Sequence, residues 1–327
     1  MDDRTGAWLD RRTSHWQDWR QDQLLAAKQR LGCTISVVIP ARNEQRTISG
    51  VVGSIAAALV TRVPLVDELI VMDSDSTDDT GEVAARAGAA VYRTADVLPR
   101  EGSFPGKGEA LWKSLLVSKG DLLVFVDADL TRWGPHFVTG LLGPLLTDDD
   151  VQLVKGFYTR VWTENDGSAS TEGGRVTELV ARPLISLWWP ELAGVVQPLA
   201  GEWAARRALM ESLSIPVGYG VELATLMDTV SAHGLDAVAQ VDLGSRGHRH
   251  QANHDLALMA AELLLVAERR RAPAGPAAPA GPARPAGQPP ATSWLRQFVR
   301  DAGGQVQPVT RPVPVTERPP AASVQHR

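Results

Sequence analysis

Asp121-Leu-Leu-Val-Phe-Val-Asp127-Ala128-Asp129-Leu130 is an apolar run of strand type that ends in two carboxylates spaced i, i+2. The unbroken apolar segment Leu122 to Val126 predicts a strand buried on both faces, as in a parallel sheet under covering helices. Open α/β sheets bind ligands at the carboxyl ends of such strands. Two acids there call for a cation or a hydrogen-bonding ligand, because burying unpaired carboxylates is costly. Two readings stay open from this stretch alone. One is a metal site holding a sugar-nucleotide diphosphate, and the other is an acidic strand-end cap facing solvent.

The pattern upstream repeats the theme. Ile35-Ser-Val-Val-Ile-Pro40 is a β-branched strand closed by proline, and Asp67-Glu-Leu-Ile-Val-Met-Asp73 is a second strand ending in an acid. Ser74 to Thr80 supplies capping residues and first-turn acids for a helix to about Ala87, and Ala90 to Arg93 reads as a third strand. A helix from Ala110 then feeds the Asp127 strand. This alternation predicts an α/β fold with a mostly parallel, doubly wound sheet. Further on, Val151 to Arg160 alternates as a strand, and Ala237 to Leu243 reads as another. Helices are expected over Arg175–Trp188, Glu202–Leu213, Val221–His233 and Asn253–Arg270. Residues 1–33 read as an amphipathic helical extension with Trp8, Trp16 and Trp19 docking on the core. Residues 272–292 are a Pro/Ala/Gly linker and 293–327 a tail, in which Ser293 to Arg300 reads as one short helix.

Bulk properties narrow the function classes. The 327 residues suffice for one large or two modest domains, and 44% hydrophobic with 22% charged residues is ordinary for a soluble globular chain. A net charge of −5 argues against general nucleic-acid binding. Cys33 is the only cysteine, which excludes an intrachain disulfide and a cysteine-based zinc cluster and suits a reducing compartment. The opening residues show no basic region followed by an apolar stretch, and no segment has the length and apolarity of a membrane span.

Several clusters carry candidate chemistry, each beside a plainer reading. Pro40, Ala41, Arg42 and Glu44 follow the first strand, where they line a ligand crevice or form a simple strand-to-helix turn. Asp73 and Ser74 end the second strand, where an acid binds a ribose hydroxyl or caps the next helix. Lys107 stands between Gly106 and Gly108, glycines that permit close approach to a phosphate, without P-loop spacing. Gly174, Arg175 and Thr177 open a helix and offer backbone N–H groups, a guanidinium and a hydroxyl to an anion, unless Arg175 pairs with Glu178 on the surface. Tyr219 and Glu222 open another helix. Arg246 and His248 follow a strand, His248 as a metal ligand, a phosphate contact or part of a solvated basic loop. The letters Asp127 to Thr131 also fit the Asp-x-Asp-x-Thr of haloacid-dehalogenase-type phosphatases, although that motif sits on a first core strand and three strands precede it here.

Taken together the motifs occur in a known order. Pro40 to Glu44, Asp73 to Thr80, Pro105 to Trp112, Asp127 to Asp129, Gly173 to Pro183, Gln197 to Glu202, Gly218 to Glu222 and Gln240 to Arg249 resemble the actinobacterial glucosyl-3-phosphoglycerate synthases, retaining glycosyltransferases of GT-A fold. The resemblance implies glucose transfer from UDP-glucose to the 2-hydroxyl of 3-phosphoglycerate with Mg²⁺ or Mn²⁺, by a cytoplasmic homodimer. Similar enzymes begin methylglucose lipopolysaccharide synthesis or yield glucosylglycerate, and close relatives use GDP-mannose. It further implies a nucleotide-sugar half (34–160) and an acceptor half (161–271). Pro40, Ala41, Glu44 and Ser74 match the nucleotide cradle, Lys107 a donor contact, and Asp127 the first acid, near the ribose. Asp129 and His248 match the metal ligands, and Gly174, Arg175 and Thr177 the acceptor-phosphate site. Glu222 matches a residue near the reacting sugar, Tyr219 and Arg246 further lining residues, and Leu199 a position whose carbonyl faces the transfer centre. Relatives often carry Ser where this chain has Ala128 and Ala200.

Overall fold

The computed structural model describes residues 3–163, 169–170, 174–247, 253–271, 292–300, 305–314 and 316–324. Strands β1 (Thr13–His15), β2 (Ile35–Ala41), β3 (Glu68–Asp73), β4 (Ala90–Arg93), β5 (Leu122–Phe125), β6 (Leu153–Thr163), β7 (Ala169–Ser170), β8 (Trp203–Arg206), β9 (Ile215–Pro216) and β10 (Val238–Gly247) precede three C-terminal ones. Those are β11 (Thr292–Arg300), β12 (Val306–Pro314) and β13 (Glu317–Arg318). The helices are α1 (Asp3–Arg12), α2 (Gln21–Leu31), α3 (Ile48–Ile55), α4 (Thr80–Arg86), α5 (Lys107–Val117), α6 (His136–Thr147), α7 (Arg182–Trp188), α8 (Arg207–Ser212), α9 (Val221–His233) and α10 (Asn253–Arg271).

The main sheet runs β1-β10-β6-β8-β5-β2-β3-β4, with β7 paired to β6. Its ladders are parallel except that β8 runs antiparallel to both β5 and β6, and β7 antiparallel to β6. The expected doubly wound, mostly parallel architecture is therefore present. β2 shows why it forms. Val37 and Ile39 pack in one apolar cluster and Val38 in another, so the strand is buried on both faces and needs helices above and below. α3 answers this with Ile48, Val51, Val52 and Ile55 buried at helical spacing. Each fully buried aliphatic or aromatic side chain contributes about 1.5–3 kcal/mol, so the four apolar residues of β5 anchor the strand whose end carries the acids. Among the described residues, no helix is long and apolar enough to cross a membrane.

Three segments depart from the sequence expectation. The N-terminal stretch is not one helix. Thr13–His15 leaves it to pair with Gln240–Asp242, and Trp16–Asp18 makes a tight turn capped by the His15 side chain. The tryptophans do dock: Trp8 is 1% exposed, and its Nε1 donates to the carbonyls of Leu235 and Val238 at 3.1 and 3.0 Å. Residues 203–206 are a strand rather than the start of a helix. Buried Trp203, Ala204 and Ala205 sit between β5 and β6, and the ladder on both sides overrides alanine's helix propensity. Ser293 to Arg300 is a hairpin strand paired with β12, and the side chains of Ser293 to Phe298 alternate between half-buried and exposed with a period of two.

Candidate active site

The carboxyl ends of β2, β3 and β5 open on a cleft of about 330 Å³, whose walls include Pro40, Ala41, Arg42, Glu44, Ser74, Lys107, Asp127, Ala128 and Asp129. Gly174, Arg175, Thr177, Leu199, Tyr219, Glu222 and Arg246 complete it from the other half of the chain. Residues spread over more than two hundred positions thus meet in one place, as the motif pattern predicts. Asp73 stands apart: it is 7% exposed, its carboxylate accepts the Ser76 N–H at 3.0 Å, and it does not line the cleft. His248 lies outside the described residues.

A network of buried charge forms the floor. Lys107 Nζ is 2.6 Å from Asp127 Oδ1 and 2.8 Å from Glu222 Oε1. The Arg246 guanidinium reaches Asp127 Oδ2 and Asp129 Oδ1, both at 3.1 Å, and Glu202 Oε2 at 3.2 Å. Its Nη1 also donates to the Tyr158 hydroxyl at 2.6 Å. Burial opposes the ionised form of Asp127, but Lys107 and Arg246 outweigh it and hold the carboxyl well below the usual carboxylate range. Burial likewise opposes the Lys107 ammonium, and Asp127 and Glu222 outweigh it, leaving the lysine charged. A β-bulge between Asp242 and Ser245 precedes Arg246, and it leaves Ser245 exposed while Arg246 is 3% exposed.

Two members of this network escaped the sequence reading. Glu202 is 0% exposed; burial pushes its carboxyl up, against the pull of Arg246, and its Oε1 has no hydrogen-bond partner among the described residues. Lys155, on β6, is 1% exposed and donates to the Ala200 carbonyl at 2.8 Å. Desolvation brings its pKa down to about 8. The available signal was a lone lysine in the otherwise apolar run Leu153 to Tyr158, and the terminal acid of Gln197 to Glu202.

The glycines flanking Lys107 serve a different end from the one their sequence suggests. A Cβ on Gly106 would collide with the Val217 carbonyl, and one on Gly108 with the Pro216 carbonyl. Gly106 also has φ +136°, which L side chains rarely adopt. These residues admit protein backbone rather than phosphate. Gly201 has the same function against Asp127, whose carboxylate occupies the space a Cβ would take.

On the opposite wall, Gly174, Arg175 and Thr177 sit at the start of the helical stretch that becomes α7. Glu178, the alternative partner of Arg175, accepts from Arg182 at 2.9 Å. Tyr219 and Glu222 flank the start of α9, while α10 brings Leu256, Met259 and Leu263 over the cleft. Glu262, on the same helix, accepts the Tyr219 N–H at 2.6 Å, and burial raises its pKa to about 7. Among the described residues no group of three His, Cys, Asp or Glu is placed to hold a metal. The Asp129 carboxylate is a hard oxygen donor suited to a divalent cation, and further ligands would come from elsewhere.

Comparison with known proteins agrees with this geometry. Residues 36–192 match the family model Glycosyl transferase family 2. The chain is 45% identical to the glucosyl-3-phosphoglycerate synthase of Mycolicibacterium paratuberculosis, over 98% of this chain and 93% of that one. It is 44% identical to the Petrotoga mobilis enzyme of the same name, over 76% of each chain. A crystal structure of the Mycobacterium tuberculosis enzyme, in complex with Mn²⁺, UDP-glucose and phosphoglyceric acid, superposes with a TM-score of 0.78 at 44% identity, covering 94% of this chain and 95% of that one. With its family 2 sheet and its charged cleft, the chain belongs to the glucosyl-3-phosphoglycerate synthases and is a hexosyltransferase.

Proposed function

We propose that the protein transfers glucose from UDP-glucose to the 2-hydroxyl of 3-phosphoglycerate with retention of configuration, using Mg²⁺ or Mn²⁺. The observation that carries this reading is one cleft with two kinds of anion-binding wall. The Asp127–Asp129 strand end with Lys107 and Arg246 faces the helix start of Arg175 and Thr177. The first wall suits a nucleotide diphosphate with its cation, and the second a small phosphorylated acid.

In this mechanism Pro40, Ala41, Arg42, Glu44 and Ser74 cradle the nucleotide. Asp129 and His248 would hold the cation, which would supply charge neutralisation for the departing diphosphate. Lys107, a fixed ammonium held by Asp127 in a site of low dielectric, stabilises the charge gained by the leaving phosphate oxygen in this reading. Arg175, Thr177 and the Gly174 backbone orient the acceptor, so that its 2-hydroxyl oxygen bonds to the sugar carbon as the carbon–phosphate-oxygen bond breaks. The hydroxyl proton passes to the leaving phosphate oxygen. Retention then follows from attack on the same face.

The same reading makes residues 34–160 the nucleotide-sugar half and 161–271 the acceptor half, in a cytoplasmic homodimer. The exposed apolar side chains Leu187, Trp294 and Phe298 support a second copy, and light scattering tests it. The functional test is UDP release in the presence of 3-phosphoglycerate. Metal-dependent release that chelator and Asp129→Ala both abolish fits the reading, and near-normal turnover in that variant removes the metal assignment.

A further inference from the structure

Residues 316–324 do not line the cleft, but they pack behind its wall. β13 pairs antiparallel with β9, and the Val217 N–H donates to the Thr316 carbonyl at 3.1 Å. From the other side, the same β9 segment receives the start of α5. The Glu109 N–H donates to the Val217 carbonyl at 2.9 Å and the Gly108 N–H to the Gly218 carbonyl at 3.2 Å. One short strand therefore joins the C-terminal segment to the turn that carries Lys107.

Arg318 fastens this seam. Its side chain is 6% exposed and bonds both oxygens of the buried Glu109 carboxylate, at 2.7 and 2.6 Å. It donates further to the carbonyls of Glu101 and Gly102 at 2.9 and 3.1 Å, and its guanidinium lies over the rings of Phe104 and Trp112. Trp112 Nε1 adds a bond of 2.8 Å to the Pro319 carbonyl. A two-stranded pair is marginal by itself, so β9 and β13 depend on such side-chain clamps. A buried ion pair is weak evidence for stability, since apolar packing of equal volume does as well; what a bidentate pair supplies is defined geometry. Here the geometry relates the loop of Lys107 to the loop of Tyr219 and Glu222, and the side chains that touch across it are Lys107 and Glu222.

We propose that the C-terminal segment is a positioning strap for the donor side of the cleft. Arg318, acting through Glu109 and the Gly106–Gly108 turn, sets the Lys107 ammonium between Asp127 and Glu222. The functional consequence rests on the reading of Lys107 as the contact to the leaving diphosphate. Neither Arg318 nor Glu109 touches substrate in this account, and Arg175 and Thr177 stand on a different element.

Two readouts on the full chain test the strap. Hydrogen exchange without ligand reads it independently of chemistry: the amides of residues 101–112 and 215–222 exchange faster in Arg318→Met than in the wild type. In steady-state kinetics Arg318→Met raises the KM for UDP-glucose about tenfold or lowers kcat by as much, and leaves the acceptor KM within about twofold. Arg318→Lys, which keeps a cation beside Glu109, falls between. If Arg318→Met fails to fold, Trp112→Phe, which removes the indole bond to Pro319, gives the same signature at smaller amplitude. Unchanged exchange in both loops, or donor and acceptor KM rising together, overturns the proposal. A wild-type chain that does not turn over UDP-glucose and 3-phosphoglycerate overturns the functional reading instead, and the exchange result then decides the strap alone.

Discussion

Lys107 Nζ lies 2.6 Å from Asp127 Oδ1, joining the start of α5 to the acidic end of β5 across the cleft floor. The pair is held inside a larger network, so removing one member alters the protonation and placement of the others. Lys107→Met takes away one of the two cations that keep the Asp127 carboxyl below its ordinary range. It is expected to lower kcat/KM by about 10²–10³, or roughly 3–4 kcal/mol of transition-state stabilisation. UDP release at saturating acceptor measures this, and a loss under about threefold contradicts the role given to Lys107.

Arg246 and Glu202 form the buried end of the network. Arg246→Met leaves the Glu202 carboxyl at 0% exposure without its cation, and is expected to destabilise the fold by about 3–5 kcal/mol in denaturant unfolding. Adding Glu202→Gln restores part of that loss, because a neutral amide is less costly to bury than an orphaned charge. A double variant no more stable than Arg246→Met alone argues against charge as the cause.

Glu262 gives stability a pH dependence of predictable sign. Burial raises its carboxyl from 4.5 to about 7, so the folded chain holds this proton more tightly than the unfolded chain. Its contribution to stability is complete below the unfolded value and declines as pH rises from 4.5 to about 7, with no further change above. Glu262→Gln removes that decline. Unfolding measured at a series of pH values, wild type against variant, should show the difference growing through this window. A constant difference contradicts the assignment.

Arg175 is assigned to the acceptor. Arg175→Ala should raise the KM for 3-phosphoglycerate by about 10–100-fold, from the loss of a charge-assisted contact of about 1.5–3 kcal/mol, while UDP affinity changes little. Equal weakening of both ligands removes the acceptor role.

The legible parts of the fold were those where one face or both faces had to be buried. β2, β3 and β5 announce themselves through apolar runs ending in Pro or Asp, and their carboxyl ends mark the cleft. β8 was not legible, because Trp203-Ala-Ala carries no period and its strand state comes from neighbours on both sides. Lys155 and Glu202 were hidden for a related reason. A single charged residue in a chain does not say which way it points, and both point into the core. Gly106 and Gly108 carried a true signal of close approach, but what approaches is the backbone of residues 216–217. The two halves of the cleft meet through long-range contacts that no local pattern encodes.

The most direct test of the central claim is the product formed by the wild-type protein from a panel of nucleotide sugars with 3-phosphoglycerate and Mn²⁺. The expected result is a glucosylated phosphoglycerate by mass from UDP-glucose, and loss of that product on chelation. Product from GDP-mannose in preference to UDP-glucose, or release of phosphate from the acceptor without any sugar transfer, would contradict it.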